Sequence, residues 1–242
     1  MRGRGRRAAA TTTWVAATAL AVGGCLPAPK TTQGEDIANL YAVFLGAGIV
    51  VGGIVWVLAT IAILRGRRRR AGEPAQTHGN VRIEALWTAI PLVTVLVLFA
   101  LTVQTLGKVD AKGTGGVNLF VTAFRWQWQA DYPDAGVRLV GTVDRPLEVV
   151  LPVGQTVHVT LGSVDVNHSF YVPAFLFKRD AIPGSPTAFD LQVSAPGVYP
   201  GACAEFCGVG HAQMPFTIRG VDQATFDAWL AEQRSAAPSA AP

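Results

Sequence analysis

LYAVFLGAGIVVGGIVWVLATIAIL, residues 40–64, and ALWTAIPLVTVLVLFALTVQTL, residues 85–106, contain no Asp, Glu, Lys or Arg. At about 1.5 Å rise per residue, each helix exceeds the ~30 Å hydrocarbon core of a bilayer. Helices this long and apolar on every face are rarely the buried helices of a globular core, so both stretches read as membrane spans. Pro91, near the start of the second span, is tolerable there as a mild bend because a packed membrane helix can satisfy the freed carbonyl. Between the spans, residues 65–84 carry Arg65, Arg67, Arg68, Arg69, Arg70 and Arg82. The positive-inside rule puts that loop in the cytoplasm, with residues 25–39 and everything after the second span outside.

The formal charge of +4 is a poor guide to partners, because the basic residues cluster where membrane topology wants them. From Asp110 onward there are 12 Asp and Glu against 8 Lys and Arg. That acidic balance argues against nucleic acid and for a basic protein partner. At the other end, Arg2, Arg4, Arg6 and Arg7 precede a short apolar run from Trp14 to Val22, the pattern of an exported signal over residues 1–24. The run ends in Val22-Gly-Gly-Cys25, which resembles a bacterial lipobox and makes Cys25 the candidate for lipidation.

Beyond Lys108 the pattern breaks into short runs punctuated by Gly and Pro. Residues 124–132 alternate at period two, with Phe124, Trp126, Trp128, Ala130 and Tyr132 on one face. Residues 156–161 alternate again, with Val157, Val159 and Leu161 opposite His158, and further strands are expected from Leu147, Phe189, Gly197 and Pro215. Several short strands within residues 110–221 predict a small antiparallel sandwich or barrel. Asp222 is placed to cap a helix over residues 222–233, and the Ala, Ser and Pro tail at 234–242 reads as disordered.

The chemistry sits in Cys203-Ala-Glu-Phe-Cys207-Gly-Val-Gly-His211-Ala-Gln-Met214. Thiolate and thioether ligands beside imidazole favour copper over hard cations. A mononuclear copper site needs one thiolate, so two Cys point to a second metal and to a second His from elsewhere in the fold. His168, in Asp165-Val-Asn-His-Ser-Phe-Tyr-Val-Pro173, is expected to project from a loop after a strand, whereas His158 reads as solvated. Two other readings remain open on residue types alone. One is a Cys203–Cys207 disulfide, plausible in an exported domain although so short a loop stabilises little. The other is zinc, which would leave Met214 idle and lacks the usual Cys spacing. Lipid on Cys25 accounts for the odd cysteine count.

Two spans followed by His168-Ser-Phe-Tyr-Val-Pro173, Asp180-Ala-Ile-Pro-Gly184 and the Cys203–Met214 motif resemble the cytochrome c oxidase subunit II family over nearly the whole mature chain. The resemblance implies a two-helix transmembrane hairpin in a bacterial cell membrane, followed by an all-β cupredoxin-like (Greek-key) extracytoplasmic domain. It implies a dinuclear copper centre, CuA, bridged by Cys203 and Cys207, with His168 and His211 each on one metal and Met214 and the Glu205 carbonyl completing the sites. It further implies that electrons from cytochrome c, free or as a domain of a bc complex, enter through Trp126. They would then pass to subunit I, which reduces oxygen and pumps protons, in an assembly that also holds subunit III. The Glu205 side chain resembles a ligand to a magnesium or manganese ion shared with subunit I. Glu84 resembles the carboxylate at a proton-channel mouth, and a helix-end carboxylate is the equal alternative. Asp131, Asp134 and Asp165 are candidates for steering a basic cytochrome. The segment Ala123-Phe-Arg125 departs from the Gly-His-Gln common in relatives. A quinol oxidase subunit would share the hairpin but lack these ligands. A membrane-tethered copper chaperone would need a thioredoxin-like fold.

Overall fold

The computed structural model describes residues 26–67 and 79–236, so the expected signal peptide, Cys25, Arg68 to Arg70 and the last residues of the tail lie outside the described residues. The chain divides into two compact units, the helices over residues 36–110 and a β domain that also takes in the residues just before the first helix.

The helices are α1 (Thr32–Gly66) and α2 (Val81–Val109). Both start before the apolar stretches, at 32 instead of 40 and at 81 instead of 85, because capping and not hydropathy sets a helix start. The Thr31 hydroxyl accepts from Gly34 N at 2.9 Å, and the Asn80 side chain accepts from Arg82 N and Ile83 N. Along both helices the apolar side chains stay outward: Ile49, Trp56, Leu86 and Phe99 are all more than half exposed. A water-soluble protein rarely leaves that much contiguous apolar surface bare, whereas lipid would cover it at no cost.

The β domain is a sandwich of two five-stranded sheets. In chain order its strands are β1 (Val117–Phe124), β2 (Gln127–Tyr132), β3 (Val137–Val140), β4 (Leu147–Pro152), β5 (Val157–Ser163), β6 (His168–Val172), β7 (Phe177–Ala181), β8 (Thr187–Leu191), β9 (Gly197–Cys203) and β10 (Pro215–Val221). The orders are β3-β2-β1-β5-β8 and β4-β10-β9-β6-β7. Two pairs, β1 with β5 and β10 with β4, run parallel, so the expected purely antiparallel sheet is corrected to a mixed one. Helix α3 (Gln223–Ala236) follows, and Asp222 caps it by accepting from Thr225 N at 2.9 Å, as its position suggests.

Alternation located β5 well: Val157, Val159 and Leu161 are buried and His158 and Thr160 lie on the other face. The expected strand over residues 124–132 is two strands joined by a hairpin turn at Arg125 and Trp126. Across that turn Ala123 opposes Trp128 and Phe124 opposes Gln127. Trp128, Ala130 and Tyr132 therefore share their inward face with Ala123 and Val121, while Phe124 belongs to the other face. A two-residue turn shifts the facing by one residue, and period-two counting steps over it unnoticed.

The inward faces meet in a core of Trp128, Phe170, Phe216, Leu119, Val149 and Ile218. Trp128 makes edge contacts with Phe170 and Phe216 at ring separations of 5.9 and 5.2 Å. The buried Tyr132 hydroxyl joins the sheets by donating to Val150 O and accepting from Val150 N, and burial raises its pKa far above the ordinary value.

His158, expected to be solvated from its polar-face position, is part-exposed, but both its ring nitrogens are partnered. Its Nδ1 lies 2.8 Å from Asp190 Oδ1 and its Nε2 lies 2.7 Å from Gly115 O. Carboxylate and carbonyl oxygens only accept, so this geometry suits the doubly protonated imidazolium. The Asp190 hydrogen bond, chiefly, raises the His158 pKa above its ordinary 6.5. A raised folded-state pKa contributes stability that is complete below the unfolded value and is lost as pH rises through the folded one. Replacing His158 with Gln should lower stability by about 1 kcal/mol at pH 6 and flatten the loss above it. Thermal melts from pH 5 to 9 check this, and parallel curves for the two proteins would contradict it.

Candidate metal centre

Three strands of one sheet build the centre. Strand β9 ends at Cys203, the loop over residues 204–214 carries Cys207, His211 and Met214, and β10 returns beside β9. Cys203 N donates to Met214 O, closing the loop at its base. On the other side β6 pairs with β9 so that Phe170 opposes Cys203. His168, two residues along β6, thereby lands beside the sulfur, and Ala204 N donating to Ser169 O fixes the approach. The expectation that His168 projects from a loop is corrected: it is the first residue of β6, opposite Ala181, and wholly buried.

The donors form a chain. His168 Nδ1 lies 3.8 Å from Cys203 Sγ, the two sulfurs are 4.0 Å apart, and Cys207 Sγ lies 3.6 Å from His211 Nδ1. A weaker donor flanks each sulfur, the Glu205 carbonyl oxygen at 3.2 Å from Cys203 and Met214 Sδ at 3.9 Å from Cys207. Both cysteines are free and buried. Each sulfur thus has one imidazole and one weak ligand of its own. That division into two like halves fits a pair of soft metal ions sharing the sulfurs better than it fits one tetrahedral zinc.

Without metal the cluster is poorly solvated. Burial, then the neighbouring Cys203, pushes the Cys207 thiol up to about 11. The His168 ring is oriented from behind: Nε2 lies 2.9 Å from Asp165 Oδ1. Burial alone would raise the Asp165 carboxyl, but hydrogen bonds from His168, Arg125 N and Val166 N outweigh it and hold the pKa at about 2. The ionised carboxylate accepts a hydrogen bond from Nε2–H and so keeps the proton on that nitrogen, which leaves the Nδ1 lone pair facing sulfur and any metal held there. Asp165 is thus a ring-orienting group and not a free steering charge. Asp131 is paired with Arg138 and Gln129, and Asp134 accepts from Asn118.

Trp126 lies on the ligand loop. Its Nε1 donates to Cys207 O at 3.2 Å, and the indole covers the backbone of Gly208 and Gly210. A Cβ at Gly210 would sit 2.4 Å from Trp126 Cδ2, so only glycine permits the contact. Trp128, two residues on, supports the same loop through Nε1 donating to Met214 O. The Glu205 side chain turns from the sulfurs to Lys178, with Oε2 3.7 Å from Nζ. Glu84 belongs to the helical unit, in the first turn of α2, its carboxylate folded back over Gly79. Sequence reasoning missed Asp165 as the partner of His168, although an acid three residues before a ligand His was a readable signal. It also missed Arg125, whose side chain lies 3.4 Å from that acid.

A helical pair apolar enough to cross a membrane, joined to a cupredoxin-like sandwich that buries two thiols among imidazoles, defines a membrane-tethered domain with a cluster of side chains that could hold a soft metal. Residues 128–221 match the family described as Cytochrome C oxidase subunit II, periplasmic domain, and residues 22–106 match its transmembrane domain. The chain is 33% identical over 237 residues to "Probable cytochrome c oxidase subunit 2" of Streptomyces avermitilis, covering 81% of this chain and 74% of that one. It is 32% identical over 210 residues to cytochrome c oxidase subunit 2 of Alkalihalophilus pseudofirmus, covering 84% of this chain and 60% of that one. Among solved structures, the periplasmic domain of subunit II of the Bradyrhizobium japonicum cytochrome oxidase is similar at 30% identity and a TM-score of 0.48, covering 52% of this chain and 98% of that one. The chain belongs to the cytochrome c oxidase subunit II family, a component of the haem-copper oxidase, which is an oxidoreductase. Its two helices are the family's membrane spans, and its β domain is periplasmic.

Substituting Ala for Gly210 should displace the indole and cost about 1–3 kcal/mol of stability, as overpacking does. The Trp126 Nε1 proton should lose its protection from solvent exchange, read by NMR. An unchanged melt with a protected indole would contradict this packing.

Proposed function

We propose that this cluster is a dinuclear copper centre, CuA, through which the chain accepts electrons from cytochrome c and passes them to subunit I of the oxidase. The observation that carries the reading is the unbroken donor chain from His168 through Cys203 and Cys207 to His211, with Glu205 O and Met214 at its flanks. Those six groups would hold the metals. A copper pair there supplies one-electron redox chemistry with the charge change spread over two metals and both sulfurs.

The chain's own residues prepare for that chemistry. Asp165 fixes the His168 tautomer, and the buried sulfurs are kept from water and oxidants. Trp126, hydrogen-bonded to the carbonyl of the ligand Cys207, offers a short covalent and hydrogen-bonded route into the site from the domain surface. The Glu205 side chain, reaching outward while its carbonyl faces sulfur, suits a magnesium or manganese ion shared with subunit I, with Lys178 as its counter-charge until then. Oxygen reduction and proton pumping belong to the partner subunits, with subunit III in the same assembly. Glu84, in the first turn of α2, is proposed at the mouth of a proton channel, with a helix-end carboxylate as the alternative. Cys25 is proposed as the lipidated residue. A copper chaperone on a thioredoxin-like fold is not favoured by a domain of ten strands.

Changing Cys207 to Ser should abolish the paired-copper spectrum while far-ultraviolet circular dichroism stays that of the folded domain. Two coupled coppers retained in that variant would overturn the ligand assignment. Trp126→Phe should leave the spectrum intact yet slow electron uptake from reduced cytochrome c at least tenfold, about 1.4 kcal/mol on the barrier. Stopped-flow rates equal to wild type would reduce Trp126 to packing.

A further inference from the structure

The Asp165 carboxylate divides its two oxygens between the buried site and the surface. Oδ1 accepts hydrogen bonds from His168 Nε2 at 2.9 Å and from Val166 N at 2.6 Å. Oδ2 receives Arg125 N at 2.7 Å and Arg125 Nε at 3.4 Å. The His168 ring is fully buried, while half of the Arg125 side chain is exposed. One carboxylate therefore connects a surface guanidinium to an imidazole that faces the cluster. The next residue after Arg125 is Trp126, which bonds to Cys207 O. The two-residue turn between β1 and β2 thus grips both halves of the donor chain, one through Asp165 and the other through the indole.

We infer that Arg125 is a positioning residue that sets, through Asp165, how strongly His168 donates to metal. This rests on the copper reading above and deepens it. A carboxylate accepting the distal N–H of a ligand imidazole pushes electron density toward its other nitrogen. A guanidinium on the far oxygen withdraws part of that charge and weakens the push. Because Arg125 N holds Asp165 independently of the side chain, removing the guanidinium leaves the carboxylate in place and takes away only the positive charge beside it. Arg125→Ala should therefore make His168 a stronger donor and favour the oxidised site. Asp165→Asn should do the opposite, and should also lose 10- to 100-fold in copper affinity, as partners behind ligand imidazoles typically do.

The test is a double-mutant cycle on the copper-loaded full chain in detergent, read as reduction potential and not as turnover. Arg125→Ala is expected to shift the reduction equilibrium toward oxidised by up to tenfold, which is 59 mV for one electron. Arg125→Lys should recover most of the shift, and in an Asp165→Asn background Arg125→Ala should have little effect. An equal shift in both backgrounds would mean that Arg125 acts as a bare surface charge, and no shift in either would mean that it does nothing to the site; each overturns the proposal. Should Asp165→Asn fail to fold or load, the shifted His168 Nε2 proton resonance of the loaded chain decides: it must move in Arg125→Ala, and a resonance at the wild-type position overturns the proposal. Failure of the copper reading is a separate outcome, since wild type would then hold no metal pair.

Discussion

The pairing of β6 with β9 is the constraint on which the centre depends. It sets Phe170 opposite Cys203 and so places His168 at the sulfur from a segment 35 residues earlier. Because side chains alternate between faces, a slip of one residue would turn His168 away from the sulfurs and put Ser169 in its place. The register is pinned from both sides: β7 pairs along all of β6, and Phe170 stacks on Phe216 of β10 at 4.4 Å. The loop can stay rich in glycine and irregular because the two strands that frame it are fixed.

The same arrangement has an energetic cost in the metal-free chain. Two thiols and an imidazole are withdrawn from water, and burial pushes Cys207 well above an ordinary thiol. The aromatic core around Trp128 offsets that cost, and a cation at the sulfurs would reverse it by stabilising thiolates. Binding then releases protons, so affinity for metal must climb with pH until the sulfurs are ionised. Asp165 stays ionised throughout the neutral range, held at about 2, so the His168 orientation does not titrate with the thiols.

Much of this was legible before any coordinates. Hydropathy marked both spans, but their starts belonged to Thr31 and Asn80, whose capping is a local hydrogen-bond matter that hydropathy averages away. Alternation found β5, whose two faces differ, and misread residues 124–132, where a two-residue turn hides between strands. The ligand types and their spacing in the Cys203–Met214 segment were readable, since one loop supplies them. Asp165 behind His168 was readable too, three residues before it, but went unread; Arg125 behind Asp165 was not, because that contact joins two loops 40 residues apart. The partners of His158 were hidden for the same reason: Asp190 and Gly115 come from a neighbouring strand and from the segment leading into β1.

The central claim is that Cys203 and Cys207 hold two metals in common. The most direct measurement is copper stoichiometry together with electron spin resonance on the purified, copper-reconstituted chain. The account predicts two coppers per chain and a seven-line hyperfine pattern from one unpaired electron shared equally by both nuclei. One copper per chain with a four-line pattern, or Cu(I) alone with no signal after oxidation, would contradict it.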